Sequence, residues 1–450
     1  MSTKITQVIK RSGDVVPFKR ERITNAIYRA AVAVGGRDRA TAESLTDAVL
    51  AILEKSCGVR GDIPTVEEIQ DIVEKVLIEN GHARTAKAYI LYRQERAIRR
   101  RRREQGASQR DPENIPYRKL WEVLTWAIDH NVHNVFRLNE RIAKGEFADI
   151  VHESDEAYEK DIAQGAKLIL HRRDEVRIVI IAGPSSSNKT TTTAKLSEHL
   201  SQAGLSLVAL NVDNYFFDLD VHPKDEFGDY DFETPQALDL ALINEHLQRL
   251  IAGEEVRIPY YNFKTGRRED QGTTMKLGGN DIILIDSLHG LYGEMTHSIP
   301  DEQKFKLYIE TLLQMKGPDN KYIRFTDLRL MRRMVRDARE RAYDPRQTLE
   351  HWHYVRSSEL RHIIPFVNTI DYVVNAATPY ELPIMRARLF PHFADWVRDY
   401  KDDPNRMDAY LRAERVHTLL QAIIPVEDDS SIPATSHVRE FIGGSAYSLH

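Results

Sequence analysis

The segment Gly183-Pro184-Ser185-Ser186-Ser187-Asn188-Lys189-Thr190 carries the groups that a bound phosphate needs. It meets the pattern G-x-x-x-x-G-K-[ST], except that Asn188 stands at the second glycine. In such a loop the backbone N–H groups converge on a phosphate at a helix N-terminus, where the dipole also favours negative charge. Lys189 would reach the β- and γ-phosphates of ATP and the Thr190 hydroxyl would ligate Mg²⁺, with Ser185, Ser186, Ser187 and Thr191 completing the cradle. Asparagine is the non-glycine residue that best tolerates a left-handed backbone, but it adds bulk where the chain must approach phosphate. A Ser-rich turn, or a loop that binds without catalysing, are the competing readings. Asp286, closing Asp281-Ile282-Ile283-Leu284-Ile285-Asp286, is the acidic residue expected beside the metal; in isolation it equally suits a turn or a helix cap.

Transfer of a phosphoryl group to a hydroxyl also needs a carboxylate near the γ-phosphate to take the proton. Asp213 fits that need, in Asn211-Val212-Asp213-Asn214-Tyr215-Phe216. Asp-Asn after a strand also reads as a turn, and the two aromatic residues read either as a stacking surface for a flat substrate or as core. Arg329, Arg332, Arg333 and Arg336 fall at i, i+3, i+4 and i+7, with Leu330, Met331, Met334 and Val335 on the opposite face. Two readings stand level for this stripe: a solvated charged face, or cations for the transferring phosphoryl group. His351, His353 and His362 fit no familiar zinc spacing and read as structural.

The elements that must hold these residues are legible in the hydrophobic pattern. Val176 to Ala182, Leu205 to Val212, Asp281 to Ile285 and Ile370 to Val374 are short apolar runs, and a helix is expected from Lys189 to Ala203. Strands apolar on both faces and alternating with helices predict an α/β fold with a parallel sheet flanked by helices. Before them, residues 4 to about 98 open with a short extended stretch and a turn at Arg11-Ser12-Gly13-Asp14. Helical stripes follow, at Ile23, Ile27, Ala30 and Ala31 and at Ile69, Ile72, Val73 and Val76, the second entered through a capping box at Thr65-Val66-Glu67-Glu68. Breakers at Gly106 to Pro112 place a boundary near 105, giving three segments: 1–105, a helical linker over 106–172, and 173–450 with a helical C-terminal extension.

At 450 residues the chain is about three modal domains long. Its composition, 42% hydrophobic and 29% charged, excludes wholesale disorder. No apolar run approaches the roughly 20 residues of a membrane helix. A single cysteine, Cys57, excludes a disulfide framework, and the N-terminus lacks a secretory core, so the chain reads as cytoplasmic. A net charge of −5 argues against a general nucleic-acid binder. The run Arg99 to Arg103 is the local exception and reads as a solvated helix end, an RNA contact or an anion site.

Taken as an ordered set, GPSSSNKTTTTAKL, NVDNYF, DFETPQALD, IPYYNFKTGRR, IILIDSLHG, RFTDLRLMRRMVRD and VREFIGGS resemble the uridine kinase/phosphoribulokinase family over most of residues 176–450. The resemblance implies that Asp213 is the catalytic base, that Tyr215, Glu233, Tyr261, Phe263 and Arg268 surround a nucleoside, and that the arginines of 329–336 form a lid over ATP. Gly266 stands where the family usually has a base-reading histidine, Glu233-Thr234 replaces Asp-His, and Asp286-Ser287 replaces Glu-Gly. The first domain resembles an ATP-cone, through VIKRSGDVVPFKRERI and EEIQDIVEKVLIENGHARTAKAYILYRQER, which implies that Lys10, Arg11, Lys19 and Arg22 meet the phosphates of ATP or dATP. The expectation is therefore an ATP- and Mg²⁺-dependent nucleoside kinase, homo-oligomeric and regulated by nucleotide at its first domain. A sugar-phosphate (or other hydroxylated-metabolite) kinase and a non-catalytic nucleotide sensor are the alternatives.

Overall fold

The structure is a computed structural model that describes residues 5–9, 15–32, 38–60, 63–82, 84–86, 89, 115–219, 222, 234–269, 272–340, 343–403 and 406–447. These fall into two units, one within the first 89 residues and one from residue 115 onward. Lys10, Arg11, Glu233 and the run Arg99 to Arg103 lie outside the described residues.

In the first unit, strands β1 (Gln7–Ile9) and β2 (Val15–Pro17) form an antiparallel hairpin, with Val8 opposite Val16. Helices α1 (Arg20–Val32), α2 (Arg39–Arg60) and α3 (Val66–Glu79) follow. The expected stripe Ile23, Ile27 and Ala30 is buried, against Val49 and Leu53 of α2 and Val73 and Val76 of α3. The capping box at the start of α3 is formed: Glu68 N–H donates to Thr65 Oγ1 (3.2 Å) and Thr65 N–H to Glu68 Oε2 (2.8 Å). Thr65→Ala is expected to cost this unit about 1 kcal/mol, read as a lowered denaturation midpoint, because the Glu68 N–H at the helix start loses its acceptor.

The second unit is built on a five-stranded, all-parallel sheet. Its strands are β3 (Ile178–Ala182), β4 (Ser206–Ala209), β9 (Asp281–Ser287), β10 (Lys304–Glu310) and β11 (Tyr372–Asn375), in the spatial order β11-β10-β3-β9-β4. Two small antiparallel ribbons lie between β4 and β9 in the chain, β5 (Val256–Arg257) with β8 (Thr274–Met275) and β6 (Tyr260–Asn262) with β7 (Arg267–Glu269). All five residues of β3 are buried, as a central strand covered on both faces requires. Four of the sheet strands are the runs expected from sequence, whereas β10 is not among them. Its Lys304-Phe305-Lys306-Leu307 opening disguises a buried strand: both lysines turn to Asp301, at 3.1 and 3.2 Å.

Ten helices of this unit bear on the site: α4 (Tyr117–Asp129), α5 (Val135–Ala143), α6 (Phe147–His171), α7 (Lys189–Gln202), α8 (Leu240–Ile251), α9 (Phe325–Glu340), α10 (Pro345–His362), α11 (Glu381–Tyr400), α12 (Met407–Gln421) and α13 (Arg439–Ile442). The stretch expected as a linker is not one over its described part. Tyr158, Ile162, Ala166 and Ile169 of α6 pack on Val179, Ile181 and Leu307, so α6 is one of the sheet's own covering helices. Asp161 on α6 accepts hydrogen bonds from Lys119 (2.6 Å), Tyr372 (2.5 Å) and the backbone N–H of Asn375 (2.9 Å), tying α4 and β11 together. Helices α9 to α13 close a separate core around Met331, Trp352, Phe393, Val416 and Phe441. Among the described residues no helix is long and apolar enough to cross a membrane.

Candidate active site

The loop between β3 and α7 has the backbone that a phosphate cradle requires. A Cβ on Gly183 would stand 2.5 Å from the carbonyl oxygen of Ile309 and 2.6 Å from Ser187 Oγ, so only glycine fits there. Ser186 (φ 61°) and Asn188 (φ 76°) are left-handed. Asn188 thus takes the conformation that the missing glycine would have taken, and its added side chain is fully buried and used. Its Oδ1 accepts from Arg332 Nη1 (2.6 Å) and its Nδ2 donates to the carbonyl of His437 (2.7 Å). The hydroxyls of Ser186 and Ser187 are buried without a hydrogen-bond partner, and oxygens of a bound phosphate would satisfy them. Lys189 Nζ curls back to the carbonyls of Gly183 (3.0 Å) and Pro184 (3.4 Å).

The parallel register sets β3 against β9, with Ile181 opposite Asp286, so the acidic residue stands beside the loop. Burial raises the Asp286 pKa; Lys189 and a hydrogen bond from Thr193 (3.1 Å) oppose this, while Glu440 and Asp213 add to it. Asp213 lies in a short 3₁₀ turn after β4, fixed by its own N–H donating to Asn211 Oδ1 (3.0 Å). Asp213 is exposed, yet the protein around it raises its pKa by desolvation against the pull of Lys189. Asp213 and Asp286 therefore both draw on Lys189. Thr190 and Asp286 offer the hard oxygen donors that Mg²⁺ prefers, and a divalent ion would relieve this excess of negative charge. Among the described residues no three His, Cys, Asp or Glu side chains come together as a metal-holding group.

Lys189, Asp213, Asp286 and Ser287 line one cavity of about 400 Å³ together with Phe216, Leu238, Phe263 and His289. Phe263 is 63% exposed and meets Tyr261 edge-on at 4.9 Å. Tyr261 is buried, its hydroxyl unpaired, in a cluster with Phe216 (5.4 Å) and His222 (6.1 Å).

Residues 178–381 match the Phosphoribulokinase / Uridine kinase family, and residues 6–98 match the ATP cone domain. The chain joins an ATP-cone domain to a phosphoribulokinase/uridine kinase domain. A uridine kinase of Deinococcus deserti is 26% identical over 198 residues, which is 44% of this chain and 86% of that enzyme. A uridine kinase of Bacillus pumilus is 28% identical over 203 residues, 45% of this chain and 87% of its own length. The first domain is similar to part of a vitamin B12-dependent ribonucleoside-diphosphate reductase of Thermoplasma acidophilum, 44% identical over 105 residues; the match spans 22% of this chain and 13% of the reductase.

Within the kinase domain several residues lie elsewhere than the sequence led us to expect. Arg329 and Arg332 are neither solvated nor extended over the loop; both are fully buried. Arg329 is paired with Glu359 (2.5 Å) and Glu310 (3.1 Å), and Arg332 with Glu381 (2.5 Å). From there they donate to the carbonyls of Ser185 (3.1 Å) and Ser186 (3.3 Å), which makes them struts behind the phosphate loop and leaves them no free reach to a phosphoryl group. Arg333 is partly open and donates to Ser185 Oγ (3.2 Å), while Arg336 turns to Asp337 (3.1 Å). Tyr215 is fully buried and shares a hydrogen bond with His246 (2.8 Å), so it is a core residue and does not face a substrate. Arg268 pairs with Asp239 (2.9 Å), the residue that caps α8. At Gly266 (φ 66°) a Cβ would come within 2.9 Å of Leu219, so the family's histidine has no room at this position. His351 and His353 are taken up locally, by Tyr343 (3.2 Å) and the Glu350 carbonyl (2.9 Å). In the ATP-cone domain, Lys19 and Arg22 stand exposed around the start of α1.

The C-terminal segment supplies a residue that the motif pattern did not reveal. Glu440 on α13 is buried, and its Oε2 accepts from the Thr191 hydroxyl (2.7 Å), the Thr191 N–H (3.2 Å) and Asn188 Nδ2 (3.3 Å). Thr191 is the third residue of α7, so a protein carboxylate already holds one of the N–H groups at this helix start. Glu440→Gln keeps the shape and removes the charge. Titration with ATP is expected to show binding about tenfold tighter, since a phosphate no longer meets that charge. Weaker binding would mean that Glu440 serves the shape of the loop.

Proposed function

We propose that the protein is an ATP-dependent kinase that transfers the γ-phosphate to a hydroxyl of a nucleoside, with ATP or dATP acting as effector at the ATP-cone domain. The observation that carries this reading is one cavity lined by Lys189, Asp213 and Asp286 together with Phe216 and Phe263, next to a loop with two unpaired buried hydroxyls. Similarity to uridine kinases over nearly nine-tenths of their length supports the acceptor class.

In this reading Ser186, Ser187 and the N–H groups from Asn188 onward bind the phosphates, and Lys189 leaves its resting contacts for their oxygens. Asp213 accepts the proton of the attacking hydroxyl, and its raised pKa makes it a stronger base than a free aspartate. Mg²⁺, held through Thr190 and Asp286, would neutralise charge on the phosphates. Phe263 and Phe216 offer ring faces to a flat base. Behind the loop, Arg329 and Arg332 keep its carbonyls turned away, leaving its N–H groups for the nucleotide.

A second reading changes the acceptor to a sugar phosphate or another hydroxylated metabolite. It is favoured by Gly266, where no side chain for reading a base can be placed. ADP release with Mg-ATP, measured against ribo- and deoxyribonucleosides with and without dATP, separates the two. Nucleoside-dependent release that responds to dATP is the expected result. Release only with non-nucleoside acceptors would replace the nucleoside by the second class, and tight ATP binding without any transfer would make the chain a nucleotide sensor.

A further inference from the structure

Helix α4 lies outside both family matches, between residues 98 and 178, and it carries an apolar face that the described residues leave open. Its inner side is packed: Ala127 belongs to the core around Met331 and Trp352, and Leu120 and Val123 pack beside Leu312 and Val373. Tyr117, Trp121, Leu124 and Ile128 fall at i, i+4, i+7 and i+11, one stripe of a 3.6-residue helix. Trp121 is 70% exposed, Tyr117 54% and Ile128 50%. Single exposed apolar side chains need no explanation. A stripe of four leaves on the order of 400 Å² of apolar surface in water, as much as the largest patch of a typical monomer.

The two sides of the stripe differ. Arg118, Glu122, Thr125 and Asp129 are exposed along one side, while Leu120 and Ala127 on the other turn into the protein. Arg118 stands at the N-terminal end of this polar row and Asp129 at its C-terminal end. If the same face of a second copy meets this one about a two-fold axis, with the helices antiparallel, polar side meets polar side. Arg118 then lies opposite Asp129 of the second copy and Glu122 opposite Thr125, so opposite charges meet and like charges do not. Within the stripe Tyr117 lies opposite Ile128 and Trp121 opposite Leu124, and the antiparallel helix dipoles attract. With the helices parallel, the polar row would instead meet the protein beside Leu120 and Ala127. We propose that this face of α4 is a dimer interface, occupied by α4 of a second copy of the chain running antiparallel. Two stripes cover about 800 Å² of apolar surface, and the polar rows bring the contact to roughly 1,200 Å², the size of a small specific interface. Trp121, aromatic and near the middle of the helix, is its main contact. The pairing does not depend on which acceptor the kinase domain takes.

Sedimentation of the full-length protein without nucleotide, over a range of concentrations, reads the pairing, and thermal unfolding establishes that each variant is folded. The wild type is expected to dimerise, and Trp121→Glu to raise the dissociation constant at least about tenfold. Arg118→Asp and Asp129→Arg each set like charges opposite one another and are expected to weaken the dimer about tenfold at low salt. The double variant exchanges the two signs and is expected to recover to within a few-fold of the wild type. That recovery belongs to an antiparallel second copy; another segment of the chain, or a different protein, seated on the stripe would not regain its contacts by such an exchange. A wild type that stays monomeric at the highest concentration reached, or an assembly whose mass Trp121→Glu leaves unchanged, would overturn the inference. So would charge variants whose losses add in the double variant.

Discussion

Asp213→Asn is expected to lower kcat for phosphoryl transfer by about 10²- to 10⁴-fold while ATP binding stays within a few-fold of the wild type. The substitution keeps the size of the side chain and the N–H contact to Asn211, so the turn that presents it is retained. What is lost is the acceptor for the hydroxyl proton. The neighbouring Asp286 cannot replace it, being bound to Thr193 and held on β9. A pH profile adds an independent check. The base must be ionised to act, and the surroundings of Asp213 raise its pKa above the ordinary aspartate value of 3.8. The acid limb of kcat/KM should therefore fall at a higher pH than a normal aspartate would give, and it should vanish in the residual activity of Asp213→Asn. An acid limb unchanged in the variant would assign the titration, and the base, to another group.

Arg329→Met is expected to destabilise the kinase domain by about 3–5 kcal/mol, because it leaves Glu310 buried without a cation and Glu359 with Arg356 alone. Arg329 is fully buried between Glu359 and Glu310, and Arg356 is the only other cation paired with Glu359 among the described residues. Chemical denaturation monitored through the tryptophans reads this directly. The pH dependence has a definite sign. Burial pushes the Glu359 pKa up, but Arg329 and Arg356 outweigh it and hold the carboxyl below its unfolded value of 4.5. The stabilisation from this pair is thus fully present above that value and is lost as the pH falls through the lower folded pKa. An Arg329→Met protein as stable as the wild type but with impaired turnover would show instead that the arginine acts on the phosphoryl group.

The contrast between these two residues explains what the sequence carries and what it hides. Asp213, Asp286 and the loop from Gly183 to Thr190 are each fixed by strand ends in a parallel sheet, and strand ends are visible as apolar runs followed by polar residues. The capping box at Thr65 is equally local and was legible for that reason. The arginine stripe was not, because its helix is covered on both sides: Leu330, Met331 and Met334 are buried together with Arg329 and Arg332. A pattern that spaces arginines on one face does not say that Glu359 and Glu381, from two later helices, will meet them. Strand β10 was hidden by two lysines whose charge is met by a single aspartate outside the strand. Glu440 reaches Thr191 across 249 residues of sequence, a pairing no local pattern encodes.

The measurement that bears most directly on the central claim is the fate of the γ-phosphate. Purified full-length protein, Mg²⁺, γ-labelled ATP and a set of ribonucleosides are incubated together, and the label is followed by chromatography, with Asp213→Asn in parallel. The account predicts label on a nucleoside monophosphate, matched by ADP and absent with the variant. Label found only as inorganic phosphate, or on a nucleoside equally with the wild type and the variant, would contradict it.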